Sequence, residues 1–413
     1  MKKHPAILFL LSIVILTAGL TACFSPWTGN KGSITINIGS DNQSEAAVRV
    51  LVDPGVELAM MEHKITLKGP GGTITRTIKG NGSVNLEIVA GTWTVDVRAI
   101  GKRPMEYDAG QGFPERMLRA IGMETVEVSG GASVTVPLKM TTATEAASWD
   151  QLVYAIGKAD PSGKKEIIVL SGDMTANSRA HLSDLNTDTV INHITLIADR
   201  NITIKRSYYL IVNPVFEIFS GSTLVLGKPG MSGTITIDGG KEEGANPYFP
   251  MIYVPNGTLE LYDGVTLTNN INRTTDASYM GGAVALIPNS GSTADFYMYG
   301  GIIRDNESTD GGGVYIYRAG ASFIMSGGSI IGNTALNNGG GVFFNGTASA
   351  FSKNSEGGII YGIDEGSNSN ISGMKGNAAY LYHPVAANYY RDVTLEPGDA
   401  LSTTDTSSGW IEE

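Results

Sequence analysis

The chain holds one cysteine, Cys23, so no disulfide can form within it. Histidine is scarce: His4, His63, His181, His193 and His383 are the full set, and none pairs at a metal-ligand spacing such as HExxH. His193 stands beside a strand start and reads as structural. No Gly-x-Ser-x-Gly elbow, phosphate-binding loop or EF-hand loop occurs. Charged residues make up only 17% and the formal net charge is −11. Binding to phosphates needs a basic patch, so no nucleic-acid partner is expected. Apolar periodicity of helical length is missing from almost the whole chain, which disfavours coiled coils and helical repeats. No metal and no cofactor is expected from these residues.

What the chain has in quantity is glycine, 53 of 413 residues. Three glycine runs repeat one another: Gly281-Gly282-Ala283-Val284, Gly311-Gly312-Gly313-Val314 and Gly339-Gly340-Gly341-Val342. A nearly fixed period of this kind is the mark of a stacked repeat architecture. One repeat reads as three short strands and three turns: Val314–Tyr317, Ser322–Met325 and Ser329–Ile331. The same reading extends to Phe216–Phe219, Thr223–Leu226 and Ile235–Asp238, then to Met251–Val254, Leu259–Tyr262 and Val265–Thr268, then to Val284–Leu286, Asp295–Met298 and Gly301–Arg304. About seven coils fit between Glu166 and Leu395. Val284, Val314 and Val342 are expected in one inward column, with Ile302, Ile330 and Ile359 in another. Asn269, Asn306 and Asn333 follow the Asp-Gly or Gly-Gly pairs at equal distance and are expected to form a hydrogen-bonded ladder at one corner.

At these residues the chain resembles the right-handed parallel β-helix, or pectate-lyase-like, superfamily. Its Gly-Gly-Ala-Val and Gly-Gly-Gly-Val elements look like the GGAI-type repeats of polymorphic outer-membrane proteins and related bacterial surface proteins. The resemblance covers roughly residues 147–413 and speaks to fold more than to activity, because one fold hosts many functions.

The N-terminus reads as a processing segment. Lys2-Lys3-His4 is a positive start, and Ala6 to Ile15 is an apolar run too short to span a membrane comfortably. It leads into Leu20-Thr21-Ala22-Cys23, which resembles the lipobox of bacterial lipoproteins. That resemblance implies a signal peptide over residues 1–22 and a lipidated Cys23 anchoring the protein to a membrane. Phe24, where an Asp would imply inner-membrane retention, points to the outer membrane of a bacterial envelope.

Residues 23–32 read as a tether with Pro26, Gly29 and Gly32. Residues 33–140 hold seven or eight alternating strands with Gly-rich turns, as a β-sandwich does. The strands are placed at Ser33–Ile38, Val48–Val52, Lys64–Lys68, Thr73–Ile78, Ser83–Val89, Thr92–Ala99, Met123–Val128 and Ser133–Leu138. The run Ile88 to Val95 resembles the strand–turn–strand of prealbumin-like or carboxypeptidase-regulatory-like sandwiches, with Trp93 in the core. Gly101–Ile121 reads as a loop or short helix carrying Arg103, Arg116 and Arg119. Residues 141–165 form a linker and a capping helix, in which Trp149, Leu152, Val153 and Ile156 fall at helical spacing after Thr144 or Ser148. Residues 166–413 complete the chain as the β-helix, with a Ser/Thr-rich tail from about Ser402. The fold expected is all-β: an N-terminal β-sandwich, then a right-handed parallel β-helix of about seven coils with an N-terminal capping helix.

Polysaccharide chemistry on such a helix needs carboxylates converging from neighbouring coils. In the outward row beside Val314 the sequence places Tyr253, Ala285, Tyr315, Tyr317, Phe343 and Asn345, with no carboxylate. Asp263, Asp305, Glu307 and Asp310 fall at turns. The outward aromatics Tyr253, Tyr315, Tyr317 and Phe343 are therefore the candidate ligand-binding row, since exposed rings stack on sugars or anchor protein partners. The function expected is a non-enzymatic envelope lipoprotein that presents its β-helix as an adhesion or interaction surface for a glycan or a protein. The alternatives are a polysaccharide lyase or glycoside hydrolase, and a structural spacer.

Overall fold

The computed structural model describes residues 31–38, 58–107, 109–182, 191–210, 212–241, 248–345, 350–353, 358–361, 369–374 and 379–381. The fold is all-β, with several sheets and one α-helix, Trp149–Gly157, among the described residues. The signal peptide, Cys23, the strand expected at Val48–Val52 and the tail lie outside the described residues.

The chain divides into two compact units, one of residues 1–47, 51–100 and 121–140, the other of residues 48–50, 101–120 and 141–413. In the first, Lys31–Ile38 pairs antiparallel with Gly82–Val89 and parallel with Ser133–Pro137. A second sheet joins Glu62–Gly69 to Gly72–Lys79 and to Gly91–Lys102, both antiparallel. Period-two alternation buries Ile34, Ile36 and Ile38 on one strand and Trp93, Val95 and Val97 on another. Trp93 is buried, and its indole Nε1 donates to the Val89 carbonyl at 2.8 Å, so the ring is core.

The stretch expected to be a loop, Gly101–Ile121, contains the start of a long strand, Arg116–Val128. Tyr107, Phe113 and Met117 join the large core of the second unit. Arg119 is buried there and donates to the Lys102 carbonyl at 2.7 Å, and Arg103 donates to the Phe113 carbonyl. Arg103 and Arg119 thus serve internal backbone acceptors.

The second unit is built from parallel ladders that the chain visits in a fixed order. The first runs through Thr141–Ala146, Ser162–Leu170, Ile191–Ala198, Ser222–Leu226, Gly257–Leu261, Ala294–Arg304, Ala321–Ile331 and Ala350–Lys353. The second runs through Met174–Ala176, Ile202–Arg206, Ile235–Asp238 and Val265–Thr268. It then continues on the far halves of the two long strands and on Ile359–Ile360. The third joins Ala180–Leu182, Phe216–Ile218, Ile252–Val254, Val284–Leu286, Val314–Tyr317, Val342–Asn345 and Ala379–Leu381. A fourth, of two-residue strands, links Ile271–Asn272, Glu307–Ser308, Thr334–Ala335 and Ile371–Ser372.

Inward residues stack by register. Val284, Val314 and Val342 pair in turn and all are fully buried. Leu259, Phe296 and Phe323 form another column, with the two phenyl rings stacked at 4.8 Å. The expected isoleucine column is shifted by one residue: Ile303, Ile330 and Ile360 align and are buried, whereas Ile302 and Ile359 are half-exposed. The inward position is the second residue after each glycine pair, because alternation restarts at the pair.

The helix Trp149–Gly157 is capped by Ser148, whose hydroxyl accepts from the Gln151 amide at 3.3 Å. It buries Trp149, Leu152, Ala155 and Ile156 in the same core, and Trp149 meets Phe216 edge-on at 5.7 Å.

Two features hold the corners. At Gly282 a Cβ would lie 1.8 Å from the Gly312 carbonyl oxygen, and at Gly312 it would lie 2.3 Å from that of Gly340. The glycine runs therefore let successive turns come close enough for Gly282 to donate to Gly311 and Gly312 to Gly339, both at 3.0 Å. The second feature is the asparagine ladder, which runs through Asn270, Asn306, Asn333 and Asn370. The Oδ1 atoms of Asn306, Asn333 and Asn370 accept from the backbone amides of Asn270, Asn306 and Asn333, at 3.0, 3.1 and 2.9 Å. Asn269 is displaced from the expected ladder. It sits one residue earlier, in the left-handed region at φ 58°, as do Asp305 and Gly332 at 57° and 63°.

Arg206 stands at the head of the ladder. It is fully buried and donates to Asn270 Oδ1 at 2.6 Å and to the carbonyls of Phe249, Asn213 and Pro250. Burial pulls its pKa down to about 9.

Candidate functional site

The expected aromatic row exists as a register column but not as a surface. Tyr253, Ala285, Tyr315 and Phe343 are aligned on successive strands of the third ladder. Tyr253 is 8% exposed, Tyr315 1% and Phe343 4%. Tyr315 stacks on Phe343 at 5.3 Å and on Tyr317 at 5.7 Å. Met280 and Ile287 complete this cluster, and Tyr279 and the half-buried Tyr317 pack on it. Burial pushes the Tyr253 and Tyr315 hydroxyls far above their ordinary range. The exposed ligand-binding row at Tyr253, Tyr315, Tyr317 and Phe343 is therefore corrected to a second hydrophobic cluster outside the sheet. Tyr279 and Met280, from the segment between Asn272 and Gly281, help to cover it.

That column also holds a carboxylate, contrary to expectation. One strand before Tyr253 stands Glu217, and before it His181. Glu217 is buried, 2.6 Å from Arg179 Nη1 and 3.5 Å from His181 Nε2. Burial raises its pKa, and Arg179 opposes the shift without cancelling it. The His181 ring stacks on Phe219 at 5.1 Å.

The acidic turn residues do not converge. Asp263 accepts from the Gly301 amide at 3.3 Å, and Asp305 pairs with Arg304 at 2.6 Å. Asp310 accepts from Asn338 through its amide at 2.9 Å and its Nδ2 at 3.0 Å. Glu307 pairs with Arg273 at 2.6 Å and Lys241 at 3.3 Å. Burial pushes the Glu307 pKa up, but the two cations outweigh it and the pKa falls. Among the described residues no three metal-ligating side chains cluster. His193 is half-buried on the first ladder, and burial with Lys165 nearby lowers its pKa.

The open aromatic surface lies on the first ladder. Three adjacent strands present outward residues in register: Thr258 and Glu260, then Asp295 and Tyr297, then Ser322 and Ile324. The next outward column reads Gly227, Tyr262, Tyr299, Gly327. Tyr262 follows the aligned pair Leu261 and Met298, and Tyr299 pairs directly with Gly327. Tyr262 and Tyr299 stack at 4.9 Å with 27° between planes, and Tyr297 lies nearly parallel to Tyr299 at 6.2 Å. Tyr299 is 43% exposed, and Tyr262, Tyr297, Glu260 and Asp295 are half-exposed.

The glycine that follows Tyr299 is forced. A Cβ at Gly327 would sit 2.1 Å from the Tyr299 carbonyl oxygen. Tyr262 covers one face of the Tyr299 ring. On the other side the register shifts, so that Ser326 is an extra residue before Gly327 pairs with Tyr299.

The Tyr262 hydroxyl is 3.2 Å from Glu260 Oε2 and donates to it. Burial, then the charge of Glu260, raises the Tyr262 hydroxyl to about 12. Burial also raises Asp295, with a hydrogen bond from Thr293 opposing. The patch combines ring faces with carboxylate acceptors. Its sequence signal was the alternation Phe296-Tyr297-Met298-Tyr299, which puts two tyrosines outward on one strand. The chain matches no protein-family model, no curated protein and no solved structure.

Proposed function

We propose that this protein is a cell-envelope lipoprotein, anchored through Cys23 in a bacterial outer membrane, that presents a right-handed parallel β-helix as an adhesion or interaction surface. In this reading the ladders of residues 141–381 are the faces of the helix and the helix Trp149–Gly157 caps its first coil. The two sheets of the first unit are a β-sandwich. The observation that carries the functional reading is the tyrosine patch Tyr262, Tyr297 and Tyr299, in which Tyr299 is 43% exposed. Rings held open on a rigid sheet give contact area at little entropic cost. Each stacked ring contributes about 0.5–1.5 kcal/mol, so affinity is modest per molecule and multivalent display on a cell strengthens it.

The test is a screen of glycans, matrix proteins and whole cells against wild type and Tyr297→Ala/Tyr299→Ala. A partner lost in the double variant, at unchanged melting temperature, supports the reading. A double variant that binds like wild type removes this surface. Glu260 and Asp295, diagonal neighbours on adjacent strands, keep glycoside hydrolysis as the second reading. Release of reducing ends from a bound glycan, lost in Glu260→Gln, would favour it.

A further inference from the structure

Resting on that reading, we propose that the ligand is a glycan bearing free amines. One pyranose ring sits on the exposed part of the Tyr299 ring. The next lies along the strand by Tyr297 and Ile324, with ammonium groups toward Asp295 and Glu260.

Shape selects a ring. Tyr262 already fills the strand-wide space on one side of Tyr299, at 4.9 Å. On the other side the next strand carries an extra residue, Ser326, before Gly327, and Tyr299 remains 43% exposed. A sugar ring extends the stack by one member. The rows Asp295, Tyr297, Tyr299 and Ser322, Ile324, Gly327 run side by side, so a linear chain of rings lies along the strand with polar groups at its far end.

Charge selects the sign. The outward positions from Thr258 to Gly327 on these three strands hold two carboxylates, Glu260 and Asp295, and no Lys or Arg. Neither carboxylate takes part in an ion pair among the described residues. Uronate or sulfated polymers would meet like charge, whereas an ammonium gains both the carboxylates and the tyrosine ring faces. A lysine-rich protein offers the charge but no sugar ring to stack on Tyr299.

The test uses the full chain in detergent and hexamers of glucosamine, N-acetylglucosamine, glucose and galacturonate, with polylysine as the charge-only probe. The glucosamine hexamer should bind about tenfold more tightly than its N-acetylated form, the size of one good cation–ring contact. Galacturonate should not bind. Glu260→Gln/Asp295→Asn should abolish the amine preference, and Tyr299→Ala should abolish binding of every hexamer. Ser322→Lys, which sets a cation opposite Asp295 without touching the rings, should remove the preference even if Tyr299→Ala fails to fold. Equal binding of the N-acetylated hexamer overturns the inference. So does polylysine binding as tightly as the glucosamine hexamer, or a double amide variant that keeps the preference. If no hexamer binds but a protein or cell partner still depends on Tyr297 and Tyr299, this inference falls and the interaction-surface reading stands. If nothing depends on those tyrosines, both fall.

Discussion

Replacing Asn306 by Ala should cost more stability than any single surface change on the molecule. Asn306 is 1% exposed. Its Oδ1 accepts from the Asn270 amide at 3.0 Å, and its Nδ2 donates to the Leu267 carbonyl at 3.1 Å and to Asn333 Oδ1 at 3.0 Å. Truncation removes these bonds from the Asn270 N–H and the Leu267 carbonyl. Asn333 Oδ1 keeps its bond from the Asn306 backbone amide. The Asn270 amide, left unsatisfied in a buried place, costs about 1–3 kcal/mol, and the lost bond to the Leu267 carbonyl adds about 0.5–1.5 kcal/mol. Urea unfolding, read as a change in midpoint at constant slope, measures the loss. Asn269→Ala is the internal comparison: Asn269 lies outside the ladder, and Ala at φ 58° costs only about 1 kcal/mol of backbone strain. If the two variants lose the same amount, or Asn306→Ala unfolds within about 0.5 kcal/mol of wild type, the ladder does not hold the corner.

Val314→Asp puts a carboxylate in a fully buried column and should cost several kcal/mol, seen as a large drop in melting temperature. Tyr315→Ala should cost about 3–5 kcal/mol, as truncation of a large buried aromatic does, whereas Tyr299→Ala should leave the melting temperature nearly unchanged. Glu217 has its pKa raised by burial, so its stabilising contribution is fully present below the ordinary 4.5 and is lost as pH rises through the folded value. Glu217→Gln should therefore gain stability relative to wild type on going from acid to neutral pH, which unfolding midpoints across that range would show. Cys23→Ala should abolish incorporation of a fatty-acid analogue, and equal labelling would refute the anchor.

The strand order was legible because its signals are local. Alternation in Val314–Tyr317 and Ser322–Met325, punctuated by glycine pairs, places both strands without any long-range information. Errors of one residue arose where a turn restarts the alternation. Asn269 and Asn270 are adjacent in the chain, and only the left-handed backbone at Asn269 decides which of them faces inward. Likewise Ile302 and Ile303 are chemically equal, and the turn at Gly301, φ 81°, fixes their directions. The two-residue strands of the fourth ladder are too short to carry any period. The strand start at Arg116 was missed because Met117, Leu118, Ala120 and Ile121 are all buried and show no alternation.

The site was legible only in part, because outward and exposed are different properties. Alternation gives the direction of a side chain from the sheet, and Tyr253, Tyr315 and Phe343 do point away from the main core in one column. Whether that face meets water depends on what the intervening segment does. On the third ladder the segment after Asn272 turns on itself through Thr274, Asp276 and Ser278, whose backbone amides and side chains bond within it. Asn272 then donates to the Tyr279 and Gly281 carbonyls, and the Ser308 hydroxyl accepts from the Gly281 amide at 3.0 Å. Those bonds hold the end of the segment where Tyr279 and Met280 pack on the aromatic column. On the first ladder the connection after Tyr299 is only Gly300-Gly301, too short to fold back over the strand. The same alternating pattern thus gives a covered cluster on one face and an open tyrosine patch on another. The length and bonding of the connecting segment separate the two, and that is the test to apply to outward aromatics on any strand of these ladders.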